Sequence, residues 1–72
     1  MADRVEYTKH ARLRMAQRNI SEAEVEEVLS NPSYSYTDKA GNPVHVGYPA
    51  GRRIKVVVAK GSNPQKIITA AD

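Results

Sequence analysis

Residues 44–58, VHVGYPAGRRIKVVV, decide the fold class of this chain. Apolar side chains alternate with other residues on both sides of Pro49-Ala50-Gly51, which is the pattern of two β-strands joined by a tight turn. A three-residue loop that ends with Gly51 in the left-handed conformation pairs Tyr48 with Arg52. The segment therefore predicts an antiparallel hairpin with a defined register.

This register predicts which side chains share one face of the sheet. Val46 lies opposite Ile54 in it, and a turn at 61–64 pairs Val56 with Thr69 on a last strand. We expect this face to lie under the helices. The residues assigned to it are Val44, Val46, Tyr48, Arg52, Ile54, Val56, Val58, Ile67 and Thr69.

Outward from this hairpin the chain predicts further strands and two helices. Short connections after Pro32 imply antiparallel neighbours, with strands at about 33–37, 43–48, 52–60 and 65–71. The predicted helices span about 9–19 and 21–30. Thr8 is a candidate N-cap for the first helix. Ser21 and Glu24 form a capping box for the second.

The predicted architecture is α+β, with two N-terminal helices packed on one face of a four-stranded antiparallel meander (ααββββ). Residues 5–7 are a further candidate strand at the start.

Length and composition bound the classes of protein that this chain can be. Its 72 residues suffice for one small domain, 1–72. The chain contains no Cys, which excludes disulfides and thiolate metal sites. No apolar run reaches the ~20 residues of a membrane span and no signal peptide pattern opens the chain, so we expect a cytoplasmic protein without a membrane partner. The aromatic residues are four Tyr without Trp or Phe, which argues against a multi-aromatic stacking platform.

Charge is segregated along the chain. Residues 1–20 carry a net charge of +3, residues 21–32 of −4 and residues 33–72 of +4. A segregated basic surface suits an anionic partner, most commonly nucleic acid. An uneven solvated surface without a partner is the alternative.

A basic stripe on the first predicted helix is the leading candidate for function. His10, Arg14 and Arg18 recur every four residues and fall on one side of the helix, between apolar residues. We expect the stripe to face a groove between this helix and the sheet. The residues of the predicted site are His10, Arg14, Arg18, Tyr48, Arg52 and Thr69. A packing role is the alternative, in which Arg14 and Arg18 pair with the glutamates of the second helix.

These residue types suit phosphodiester chemistry without a metal. Arg can hold a phosphate and stabilise the charge that develops in the transition state. His or Tyr can transfer the proton, and the 2′-hydroxyl of RNA can serve as the nucleophile. His10 and His45 lack metal-ligand spacing, and no Gly-rich phosphate loop is present, so we expect neither a metal nor a cofactor.

The same residues carry a resemblance to a known family. The chain resembles the domain-of-unknown-function family forty-two fifty-eight over nearly its whole length. The segments that carry the resemblance are Thr8-Lys9-His10, Arg14-Met15, Arg18, Ile20-Ser21, the acidic helix, Asn31-Pro32, residues 52–58 and Ile67-Ile68-Thr69.

The resemblance implies a fold and an activity. Such domains are small, prokaryotic and similar in fold to the RelE, ParE and BrnT toxins of the barnase-like ribonuclease group. The resemblance therefore implies a metal-independent ribonuclease of a kind that is often neutralised by an antitoxin protein. His10, Arg14 and Arg18 match the helix motif, while Arg52 and Thr69 lie where toxins of that group keep site residues.

Two functions are thus expected from the sequence. The first is a toxin-type endoribonuclease that uses Arg side chains as phosphate clamps and His10 as a proton shuttle. The second is a non-catalytic basic module of the same fold that binds RNA or a protein.

Overall fold

The computed structural model describes residues 5–72, which form two α-helices and five strands. In chain order these elements are β1 (Glu6–Tyr7), α1 (Lys9–Arg18), α2 (Glu22–Ser30), β2 (Tyr34–Thr37), β3 (Pro43–Gly47), β4 (Ile54–Val58) and β5 (Lys66–Ala71). A short 3-10 turn, Pro49–Gly51, connects β3 to β4. The α+β class with two helices is confirmed. Neither helix in the described range is long and apolar enough to cross a membrane.

The sheet is mixed and five-stranded, in the order β1-β5-β4-β3-β2. The predicted antiparallel meander is present as β2 to β5, and the candidate strand at residues 5–7 adds a fifth strand, so the predicted count of four is one too low. Strand β1 pairs in parallel with β5, while the other neighbours are antiparallel. The backbone N–H of Glu6 donates to the carbonyl of Gln65 at 2.8 Å, and that of Thr8 donates to Ile67 at 3.1 Å. The helices carry the chain from β1 to the far edge. The meander then returns, so its last strand arrives beside β1.

Both helices begin at the predicted caps. The Thr8 hydroxyl accepts from the N–H of Ala11 at 3.0 Å and donates to the carbonyl of Ile68 at 3.1 Å, which ties α1 to β5. Ser21 and Glu24 form the reciprocal capping box at 2.9 and 3.1 Å. Each such cap stabilises a helix by about 1 kcal/mol.

The register between β3 and β4 differs from the prediction by one residue. Val46 lies opposite Lys55 instead of Ile54. The cause is the connecting turn, in which Ala50 and Gly51 are both left-handed, with φ of 55° and 80°. The prediction assigned this conformation to Gly51 alone, so it made the loop one residue too short. A shift of one residue moves every side chain of a strand to the other face of its partner.

Two apolar clusters therefore lie on opposite faces of the sheet. The cluster on the helix side holds Ala11, Met15, Ile20, Val25, Val28, Ile54, Val56, Val58, Ile67 and Ala70. The cluster on the other face holds Val44, Val46 and Val57, with Ile68 packed against it. The prediction that Val44 and Val46 share the helix-covered face with Ile54 is wrong.

A bulge in β5 shifts one further predicted pair. Val58 lies opposite Ile67 as the turn at 61–64 requires, but the register then slips so that Val57 faces Thr69 and Val56 faces Ala70. Thr69 was predicted opposite Val56. A bulge of this kind places one extra residue on one strand and reorients the side chains beside it. Thr69 consequently pairs with a residue of the cluster that the helices do not cover.

Gly47 lets α2 approach the sheet closely. A Cβ atom at this position would lie 3.2 Å from Cγ2 of Val28, which is tighter than an ordinary van der Waals contact. Gly47 pairs with Ile54, so it lies on the helix side. In the predicted register the neighbouring Val46 would occupy that face, and its larger side chain would hinder the approach of α2.

Candidate nucleic-acid interface

The basic stripe lies on α1, and within the described residues it hydrogen-bonds with one predicted partner, Arg52, at the carbonyl of Arg18. His10 is exposed and Arg14 is half-buried. Neither side chain makes a hydrogen bond or ion pair with residues 5–72 in this structure. Nη1 of Arg18 lies 4.0 Å from Oδ1 of Asp72, and Arg12, outside the stripe, pairs with Glu22 at 3.0 Å. Within the described range, Arg14 and Arg18 thus make no ion pair with the glutamates of α2.

Arg52 contacts the end of α1. Its guanidinium donates to the carbonyl of Asn19 at 3.0 Å and to the carbonyl of Arg18. It also donates to Oδ2 of Asp72 at 2.8 Å, and Nη1 lies 4.0 Å from Oε2 of Glu24. The hydrogen bond from Arg52 holds the pKa of Asp72 below its usual range. Carbonyl and carboxylate groups of the protein thus occupy Arg52 and close the C-terminal end of the helix.

Tyr48 and Thr69 lie at two other places. Tyr48 is half-exposed and borders a 110 Å³ depression at the end of α2, beside Glu27 and Asn31. Thr69 lies in the sheet opposite Val57. The structure brings Arg18 and Arg52 together through Asp72. It does not gather the six predicted site residues into one groove.

The face of the sheet away from the helices offers a different surface. Residues directly opposite one another in an antiparallel pair share a face, so Tyr34 lies beside Val46 and Tyr36 beside Val44. Lys55 lies on the other side of Val46. Ile54 points to the helices, so strand alternation directs the preceding residue, Arg53, to the face away from the helices. We call this surface the open face, formed by Tyr34, Tyr36, Val44, Val46, Arg53, Lys55, Val57 and, opposite Val57, Thr69.

Two exposed tyrosines dominate the open face. The rings of Tyr34 and Tyr36 are nearly parallel, with centroids 6.4 Å apart and planes inclined by 18°. Each residue is 47% exposed. Val46 is fully buried although no helix residue belongs to its cluster, so its cross-strand neighbours Tyr34 and Lys55 must shield it. The open face is thus an apolar floor bordered by aromatic and basic side chains.

Arg53 brings positive charge to the tyrosine hydroxyls. Its Nη2 donates to the hydroxyl of Tyr34 over a long 3.5 Å. The hydrogen bond to Tyr34, followed by the nearby phenols of Tyr34, Tyr48 and Tyr36, raises the pKa of Arg53 above its usual value. Strands β2, β3, β4 and β5 contain no Asp or Glu. No carboxylate on these strands therefore neutralises Arg53 and Lys55.

The other face of the β2–β3 ladder carries a polar pair. The hydroxyl of Ser35 and Nδ1 of His45 are 2.8 Å apart. Across residues 5–72, no group of three His, Cys, Asp or Glu side chains could hold a metal ion. The hydrogen bond between Ser35 and His45 thus links the two strands on the face opposite Tyr34 and Tyr36.

The predicted site contained none of four open-face residues, namely Tyr34, Tyr36, Arg53 and Lys55. The absence of Trp and Phe argued against a stacking surface, yet two tyrosines two positions apart on one strand form a stacked pair. The spacing of Tyr34 and Tyr36 was a usable signal. Arg53 could be placed beside the tyrosines only with the correct register.

Comparison with known protein families gives one match. The profile of the family Domain of unknown function (DUF4258) matches residues 7–72. This chain belongs to that family. No curated protein and no solved structure gives a significant match. The likeness to RelE, ParE and BrnT toxins stays a prediction, as does an antitoxin partner.

Proposed function

We propose that this DUF4258 domain is an RNA-binding module and that RNA lies on the open face. The observation that carries the proposal is the placement of two exposed, stacked tyrosines beside Arg53 and Lys55, on a sheet whose strands β2–β5 have no acidic residue. Proteins that bind single-stranded nucleic acid commonly combine aromatic rings, on which bases stack, with basic side chains that contact the phosphates.

Each group on the open face has a counterpart in RNA. Arg53 and Lys55 can neutralise phosphates and release counterions, which makes the affinity depend on salt. The hydroxyls of Tyr34 and Tyr36 can donate to or accept from the 2′-hydroxyl, the group by which proteins distinguish RNA from DNA. RNA is therefore favoured over DNA as the ligand.

Binding without cleavage fits the geometry better than the ribonuclease mechanism. That mechanism needs His10 and Arg14 to face Tyr48, Arg52 and Thr69. His10 and Arg14 lie on α1, which packs on the helix side of the sheet, and Arg52 is engaged by α1 and Asp72. The open face holds no histidine, so the expected proton shuttle is missing from it.

The test is a titration of labelled 12-nucleotide RNA by fluorescence anisotropy at two salt concentrations. The double variant Arg53→Gln/Lys55→Gln should bind more weakly, and its salt slope should fall by about 0.7 for each phosphate that the protein no longer neutralises. The double variant Lys9→Gln/Arg14→Gln removes the same charge from α1, on the helix side of the sheet, and it should retain most of the affinity. Equal losses in both variants would reject the open face as the site.

Two further arms decide between the remaining functions. A DNA oligomer of the same sequence should bind more weakly than the RNA, and equal binding would reject the assignment to RNA. RNA recovered after long incubation with EDTA should be intact. Cleavage that disappears in His10→Ala would instead establish the toxin-type endoribonuclease.

A further inference from the structure

We infer that the open face selects unpaired bases, so that its ligand class is single-stranded RNA with one base stacked on each ring of the Tyr34–Tyr36 pair. This inference rests on the proposed function and names the substrate class of the same site. Its basis is the geometry of the tyrosine pair and its position at the edge of the sheet.

The two rings are available for stacking. Tyr34 and Tyr36 lie two positions apart on β2, so their Cα atoms are about 6.6 Å apart along the strand. Their rings stand nearly parallel at a similar separation, 6.4 Å, and about half of each residue is exposed. The pair therefore presents two parallel aromatic rings spaced along β2, on which two bases of a single strand can stack.

Their position at the sheet edge keeps the pair accessible. Strand β2 is the last strand on its side of the sheet, and all four of its residues are exposed. No carboxylate lies on β2, β3, β4 or β5 to repel the phosphates that must accompany a stacked base. A duplex keeps its bases stacked on one another, which leaves no base free for a side chain.

The cations lie where the backbone of such a strand would pass. Lys55 belongs to β4, and Arg53 directly precedes that strand. Strand β4 lies two strands away from β2, or about 10 Å across the sheet. The guanidinium of Arg53 nevertheless reaches the hydroxyl of Tyr34. A base on the Tyr34 ring would thus hold its own phosphate near Arg53, with the sugar above the buried Val44 and Val46. Stacking and charge neutralisation then act on the same nucleotide.

Shielding of the apolar floor is the competing role for the tyrosines, and Tyr36 separates the two roles. Tyr36 is the better test residue because Tyr34 also contacts Arg53. Tyr36→Leu keeps an apolar cover over Val44 but removes the aromatic ring. Tyr36→Phe keeps both the cover and the ring and removes only the hydroxyl, so it is the matched control.

The experiment compares three 12-unit ligands on the intact chain. They are single-stranded RNA, the same RNA annealed to its complement, and an abasic oligomer with the same number of phosphates. Because the chain has no Trp and two of its four Tyr form the pair, quenching of tyrosine fluorescence that is reduced in Tyr36→Leu reports on stacking. Anisotropy gives the affinity, and thermal melting verifies that each variant is folded.

We expect single-stranded RNA to bind at least tenfold more tightly than the duplex or the abasic oligomer, and to quench tyrosine fluorescence. Tyr36→Leu should lose about tenfold in affinity for the single strand, in line with the loss of one stacked base. Tyr36→Phe should lose clearly less affinity than Tyr36→Leu, since it keeps the stacking surface and gives up only the hydroxyl that can contact the 2′-hydroxyl.

The two proposals fail in different ways. Equal binding of all three ligands, with Tyr36→Leu unchanged and Arg53→Gln/Lys55→Gln still weakened, would overturn base stacking and leave RNA binding by charge. Absence of binding to every ligand at low salt would overturn both proposals.

Discussion

The two faces of the sheet differ in what covers them and in what they can do. The helix side buries ten residues drawn from both helices, β4, β5 and the α1–α2 connection. Polar side chains near this core serve the helix ends, with Thr8 capping the start of α1 and Arg52 bonded to carbonyls at its end. The open face buries three valines beneath tyrosine, arginine and lysine side chains. Under the proposed function, stability and RNA recognition depend on opposite sides of one sheet. Residues on the two sides should therefore respond differently to mutation.

The largest expected effect separates two neighbouring isoleucines. Ile67 is fully buried on the helix side, whereas Ile68 is partly buried against the open-face cluster. Ile67→Ala should lower the free energy of unfolding by about 2–5 kcal/mol, because it leaves a cavity in the main core. Ile68→Ala should cost clearly less. Urea denaturation of both variants measures the difference, and equal costs would break the distinction between the faces.

The second effect tests the close approach of α2 to the sheet. Gly47→Val should lower the free energy of unfolding by about 1–3 kcal/mol, since its side chain would press on Val28. Gly61 is the control, because a Cβ atom there meets no neighbour within 4 Å. Its φ of 70° is the left-handed region, so Gly61→Asn is the suitable substitution and should cost little. Thermal melts compare the two variants, and a neutral Gly47→Val would contradict the packing described for α2.

The smallest effect concerns Tyr7, the one tyrosine packed against the helix-side core. Burial, followed by the carboxylates of Glu22 and Glu26, raises the pKa of Tyr7 to about 12. Its hydroxyl is buried and has no hydrogen-bond partner within the described part of the chain. Tyr7→Phe removes this unsatisfied group and should leave stability at neutral pH unchanged or raise it by about 1 kcal/mol.

The pH dependence gives Tyr7 a second readout. The folded state holds the Tyr7 proton more tightly than the unfolded state, whose pKa is about 10. The free energy of unfolding is therefore unaffected by Tyr7 ionisation below pH 10 and falls as the pH rises from 10 towards 12. Melting temperatures of the unsubstituted chain and of Tyr7→Phe should diverge over this interval. Parallel curves would show that Tyr7 is not buried as described.

Local contacts explain why the helices could be predicted. Ser21 and Glu24 are three residues apart and satisfy each other's backbone N–H groups, so their capping box is encoded within one turn. Thr8 caps α1 in the same way. The alternation of apolar residues after Pro32 likewise marks strands without reference to the rest of the molecule.

Long-range pairing explains why part of the sheet and the candidate site could not be predicted from the sequence. Strand β1 has only two residues, and its pairing with β5 spans about 60 positions, which no local pattern records. The grouping of Tyr48 with Arg52 failed because Ala50 adopts a left-handed conformation that is uncommon for a residue with a side chain. The tyrosine pair on β2 was visible as a spacing, but its cationic neighbours were not.

The sequence by itself determined the helices, their caps, the strand-rich second half and the excess of positive charge, because each depends on residues close together in the chain. Only the tertiary structure decided which side of each strand the helices cover. The turn at Pro49–Gly51 sets that choice together with α2, since the observed register places Gly47 under Val28 and turns Val46 to the open face. One residue of register thus brought Val44, Val46 and the tyrosines opposite them onto the surface that holds Arg53 and Lys55, because side chains alternate between the faces of a strand.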